Sequence, residues 1–96
     1  MVTFFLSGPE MLNPSEYDLV LANINRNVLI NYADDFARLL KSDGKLILSG
    51  LLLADEHQML QVYNRAGFAL IQKSAMKDWL LLVLELRNKT DQSENE

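Results

Sequence analysis

The strongest constraint on this chain's fold lies in residues 17–50. An apolar run, Tyr17–Ala22, stops at the polar Asn23. A stretch with helical periodicity follows, then Ser42-Asp43-Gly44, then a second apolar run ending in Ser49-Gly50. A nearly continuous apolar run is the pattern of a parallel strand buried on both faces. Strand, helix and strand in that order make a βαβ unit, in which the helix returns the chain so that the two strands run parallel. In open α/β sheets, ligands sit just outside the carboxyl ends of such strands. Asn23 and Ser49-Gly50 therefore stand where chemistry is expected.

The flanking segments extend the pattern. Leu29, Ala33, Phe36 and Leu40 recur at helical spacing, with Val28, Tyr32 and Leu39 widening the stripe. This predicts one helix over residues 27–41. Asp34, Asp35 and Arg38 fall on its solvated side. Gly44 suits a left-handed position in the turn that follows. Asp55 with Gln58 three residues on reads as a capping box. It predicts a second helix to about residue 66, burying Met59, Leu60, Val62 and Tyr63 and stopped by Gly67. Residues 68–74 and Trp79–Leu86 read as strands, and the short turn at Lys77-Asp78 makes them an antiparallel hairpin. Glu85 is the one polar residue in Trp79–Leu86, so that strand is expected inside the sheet with both faces covered. Residues 2–6 form a further candidate strand. Gly8, Pro9, Asn13 and Pro14 mark the next stretch as a loop. Residues 88–96 are polar, lack periodicity, and are expected to be a disordered tail.

Composition removes several function classes. The net charge is −4 with no basic cluster, which disfavours a nucleic-acid surface. There is no cysteine, which excludes disulfides and thiolate metal sites. No apolar run reaches the roughly 18 residues of a membrane span. His57, the single histidine, neighbours Asp55 and Glu56. Adjacent helical residues point in different directions, so these three read as surface groups rather than a metal site. Asp34-Asp35 reads as a solvated face.

The segment Ala22-Asn23-Ile24-Asn25-Arg26-Asn27-Val28-Leu29 carries a narrower signal. Asn-Ile after an apolar strand, with Asn and Leu a helical turn later, resembles the ribosomal protein methyltransferase family PrmA. These are class I enzymes that use S-adenosyl-L-methionine. Leu48-Ser49-Gly50-Leu51, Ala66-Gly67-Phe68 and Asp78-Trp79 are similar too, so the resemblance runs over about residues 2–87. It implies an α/β fold, the C-terminal half of a Rossmann-like class I methyltransferase sheet with parallel strands and a final antiparallel hairpin. The last strand would lie between residues 45–49 and 68–74. It implies methylation of amino groups of a large-subunit ribosomal protein, in the cytoplasm. Asn23 would be catalytic and, with Ile24, would touch the cofactor. Asn27, Ser49, Gly50 and Trp79 would bind substrate.

The same resemblance exposes a gap. Class I enzymes hold the cofactor with a glycine-rich loop after the first strand and an acidic residue after the second. The glycines here are Gly8, Gly44, Gly50 and Gly67, and the nearest pair stands six apart, so there is no G-x-G loop. After residues 2–6 the chain reads Ser7-Gly8-Pro9-Glu10, with no acid placed directly after the strand to meet an adenine. Residues 1–87 thus read as a partial methyltransferase domain, expected to bind cofactor weakly and to be inactive alone. With the family's first strand missing, Tyr17–Ala22 is left as an open edge. The isolated chain is expected to self-associate there, unless residues 2–6 fold against that edge.

Each candidate also has a plainer reading. Asn23 could cap the following helix, as could Asn25 or Asn27. Arg26 could meet an acidic group or be a solvated loop residue. Gly50 could be a turn glycine, and Trp79 a core residue. At the level of function, the alternatives are an interaction module with a degenerate methyltransferase fold, and a methyltransferase acting on RNA or a small molecule.

Overall fold

The computed structural model describes residues 2–4, 17–23 and 25–87. Its elements are β1 (Val2–Phe4), β2 (Tyr17–Ala22), α1 (Arg26–Asn31), α2 (Ala33–Leu39), β3 (Leu40–Leu52), a 3-10 turn (Leu53–Asp55), α3 (Glu56–Arg65), β4 (Phe68–Met76) and β5 (Trp79–Leu86). They build one five-stranded sheet in the order β1-β2-β3-β5-β4. β1, β2 and β3 are parallel, and β5 runs antiparallel to both β3 and β4. The expected parallel unit and final hairpin are present, and Trp79–Leu86 is interior as expected.

Handedness explains the layering. β2 to β3 and β3 to β4 are both parallel connections that step the same way across the sheet. Right-handed crossovers then put their helices on one face. Val20, Ala22, Leu46, Leu48, Leu80, Leu82, Leu84 and Leu86 point to that face and are buried. They share one core with Leu29, Phe36 and Leu39 of the first helices and with Met59 and Tyr63 of α3. The Tyr63 hydroxyl donates to the Leu29 carbonyl, tying α3 to α1. Burial pushes the Tyr63 phenol up, so it stays protonated and keeps donating.

Several expectations are corrected. Among the described residues, helices cover Trp79–Leu86 on one face only. Its alternate residues Leu81 and Val83, the latter paired with Ile47 of β3, are half-buried, as are Leu19 and Leu21 of β2. Interior position within the sheet and an apolar sequence do not require a layer on each side. The single helix over residues 27–41 is two, α1 and α2, broken at Tyr32, whose ψ of 7° departs from helical geometry. Helical geometry ends at Leu39, and Leu40 already pairs as strand with Tyr17. Asp43, not Gly44, takes the left-handed conformation, with φ 68°. Gly44 is needed for space instead, because a Cβ there would lie 2.8 Å from the Lys41 carbonyl oxygen. Asp55 does not cap α3: its carboxylate reaches back to accept from the Leu52 amide at 3.1 Å. Gln58 turns instead toward Arg26.

The edge of β2 is paired. Val2, Thr3 and Phe4 align with Val20, Leu21 and Ala22, so β1 covers within one chain the edge expected to be open. Phe5 and Leu6 of the expected first strand, the loop to residue 16, Ile24 and the tail at 88–96 lie outside the described residues.

Candidate functional site

Two backbone features shape the carboxyl end of the sheet. The first is the end of β2, where Asn23 follows the last paired residue and is exposed. The chain then enters α1 through Asn25, whose side-chain oxygen accepts from the Val28 amide at 3.0 Å. Asn25 is thus the cap of α1, which leaves the Asn23 side chain uncommitted to that cap. Asn27 is exposed on α1.

The second feature is a bulge in β3. Leu48 pairs with Leu82 and Leu51 with Leu80, so Ser49 and Gly50 together oppose the single residue Leu81. Gly50 has φ 79°, a left-handed conformation that glycine adopts at no steric cost. An extra residue in one strand bends it and re-aims its side chains, and such bulges recur beside functional sites. Beyond the bulge, Leu52 pairs with Trp79, and Trp79 pairs with Met76 across the two-residue turn. Lys77 in that turn has φ 57°, the positive value that short hairpin turns demand.

These pieces border an open cavity of about 630 Å³, lined by Asn23, Ser49, Gly50, Ser74, Ala75, Met76, Trp79, Leu80 and Leu81. Its walls are mostly carbon, with amide and hydroxyl groups contributed by Asn23, Ser49 and Ser74. Trp79 is 57% exposed and Met76 74%. Two large apolar side chains left in solvent at the mouth of a pocket are a feature of binding sites rather than of a sheet rim. A neighbouring cavity of about 480 Å³ shares Gly50 and Trp79 and is lined also by Asn25, Arg26, Leu52 and Asp55. Arg26 donates to Gln58 at 3.3 Å and lies 3.7 Å from Asp55. It bridges the loops that follow β2 and β3.

Of the residues singled out from sequence, Asn23, Ser49, Gly50 and Trp79 converge on the first cavity. Asn27 does not line it. Trp79 is not core. Ser74, Ala75 and Met76 escaped sequence reasoning. The signal that could have found them is register, because a two-residue turn places Met76 opposite Trp79. His57 is exposed, and among the described residues no group of His, Asp and Glu could hold a metal ion. Glu85 lies away from the cavity. The Lys45 hydrogen bond at 3.3 Å, aided by the nearby Arg87, holds its carboxyl below the usual range. No helix among the described residues is long and apolar enough to cross a membrane.

Among the described residues no glycine-rich turn stands at the crevice, and the carboxylate beside it, Asp55, is engaged by the Leu52 amide and Arg26. What the geometry offers is one wall: a polar amide at a strand end facing an aromatic and apolar surface.

Comparison with known proteins identifies the family and the fold. A family model described as ribosomal protein L11 methyltransferase (PrmA) matches residues 2–87. A ribosomal protein L11 methyltransferase from Geobacter sulfurreducens is 39% identical over 78 residues, covering 81% of this chain and 26% of the relative. One from Anoxybacillus flavithermus is 33% identical over 66 residues, covering 69% of this chain and 21% of the relative. The chain therefore spans about a fifth to a quarter of the length of these curated relatives. Among solved structures, a ribosomal protein L11 methylase from Lactobacillus delbrueckii subsp. bulgaricus superposes with a TM-score of 0.69 at 24% identity, over 74% of this chain and 37% of that one. A Burkholderia thailandensis 1,6-didemethyltoxoflavin-N1-methyltransferase, solved with S-adenosylhomocysteine, superposes with a TM-score of 0.68 at 13% identity, over 83% of this chain and 48% of that one.

Proposed function

The chain belongs to the ribosomal protein L11 methyltransferase family, and from that premise we propose that it forms the substrate-side wall of an S-adenosyl-L-methionine-dependent enzyme. That enzyme methylates amino groups of a large-subunit ribosomal protein. The observation that carries the reading is the convergence of Asn23, Ser49, Gly50 and Trp79 on one cavity at the carboxyl ends of β2 and β3.

In this reading the Asn23 carboxamide oxygen accepts a hydrogen bond from the neutral acceptor amine and fixes the direction of its lone pair. An amide has an acceptor oxygen and two donors but cannot serve as a base at neutral pH. Its contribution is orientation, which is the main resource in an in-line displacement. Trp79 and Met76 supply an apolar bed for the aliphatic stem of a lysine, and an indole face also attracts the amine while it is still charged. The cofactor, when bound, supplies the activated methyl group. The residues that hold most of it belong to the cofactor-binding part of the enzyme, with Asn23 in reach from this side.

The test joins this chain to the cofactor-binding part of the Geobacter sulfurreducens relative and follows methyl transfer to ribosomal protein L11. Asn23→Ala should lower turnover on the order of 10²-fold while changing cofactor affinity little. An unchanged rate at saturating substrate removes Asn23 from the site.

A further inference from the structure

We propose that Gly50 is a positioning residue for Asn23, and that the β3 bulge exists to bring a residue without a side chain beneath the carboxamide. The inference rests on the reading of Asn23 given above. A Cβ placed on Gly50 would stand 2.5 Å from Asn23 Oδ1 and 3.7 Å from its Cγ, and, its chain neighbours aside, would meet no other atom of the described residues within 4 Å. The space left by the missing side chain is therefore space for one group, the group assigned to orient the amine.

The other described glycines answer different needs. A Cβ on Gly44 would strike the Lys41 carbonyl oxygen at 2.8 Å and the Leu40 side chain at 2.9 Å, which is close packing of the chain against itself. A Cβ on Gly67 would make ordinary contacts at 3.6 Å or more. Gly50 alone among them borders both cavities. Regular pairing through residues 48–51 would leave no extra residue opposite Leu81, and the strand would present a side chain at this level.

The obstacle that a Cβ meets is the tip of an exposed side chain. Asn23 can escape by rotating its carboxamide outward. A substitution at Gly50 therefore leaves the sheet intact and disturbs the direction of the amide. Two costs separate by chemistry. Alanine at Gly50 meets both the positive φ and the clash. Asparagine tolerates positive φ but brings the same Cβ.

The experiment uses the ¹⁵N-labelled chain and reads the Asn23 side-chain NH₂ signals, assigned by their loss in Asn23→Ala. Gly50→Ala and Gly50→Asn should both shift that pair, with Gly50→Asn the smaller change in melting temperature. Signals left unmoved in either variant, folded by its backbone spectrum, overturn the inference. In the joined enzyme, Gly50→Ala should slow methyl transfer on its own and add nothing on the Asn23→Ala background. Losses that multiply there also overturn it. Shifted NH₂ signals with a wild-type rate in Asn23→Ala overturn the reading of Asn23 instead, so the two failures are distinguishable.

Discussion

Adjacent leucines on β5 give a direct test of the one-sided core. Leu82 is fully buried against the helices, whereas Leu81 points to the opposite face and is half-buried. Alanine at either position removes the same atoms, so any difference reports the environment. The truncation deletes roughly three methyl or methylene groups, about 2.4 kcal/mol of transfer free energy at ~0.8 per group. At Leu82 a cavity term adds to this, because its neighbours Leu48 and Leu84 are held in the sheet, and the total should reach about 3–4 kcal/mol. At Leu81 part of the area is already wet and any gap opens to solvent, so about 1 kcal/mol is expected. With a melting shift of about 4–8 °C per kcal/mol in a domain of this size, Leu82→Ala should lower the midpoint by roughly 12–30 °C and Leu81→Ala by about 4–8 °C. Differential scanning calorimetry of the isolated chain measures both. Equal losses at the two sites would show that the second face is covered after all, and the layer assignment would fall.

Three further outcomes are expected. Asn25→Ala removes the side-chain cap of α1 and should cost about 1 kcal/mol in urea unfolding, whereas Asn27→Ala should change the midpoint little. Glu85 has a folded-state pKa held below its unfolded value by Lys45 and Arg87, so its stabilisation is present above the unfolded value and is lost as the pH falls through the lower folded value. Glu85→Gln should therefore flatten the acid limb of the stability profile between those two values, and an unchanged limb would place the pH dependence elsewhere. Deleting Val2–Phe4 should expose the β2 edge, speed amide exchange along Val20–Ala22 and promote self-association in sedimentation at tens of micromolar. No change in either would mean that β1 does not protect that edge in solution.

The βαβ unit, the closing hairpin and the strand ends where chemistry gathers are legible in the order of the residues alone. Those features are local: apolar runs of strand length, a stripe at helical spacing, a two-residue turn. Asn23, Ser49 and Gly50 could be nominated because each sits at the carboxyl end of a strand, whereas Trp79 is nominated only by the family resemblance. Other features depend on packing, which spacing cannot express. Trp79 and Leu82 are both apolar residues of one strand, yet one stands in solvent and the other in the core, because the direction of each crossover put the described helices on one face of the sheet. Asn25 took the cap of α1, leaving Asn23 for the cavity, since only one of the asparagines occupies the position before the first helical turn. Gly44 and Gly50 are both loop-like in sequence. One packs against its own chain and the other opens a slot for an amide, because what a missing Cβ makes room for depends on which strand the register brings alongside.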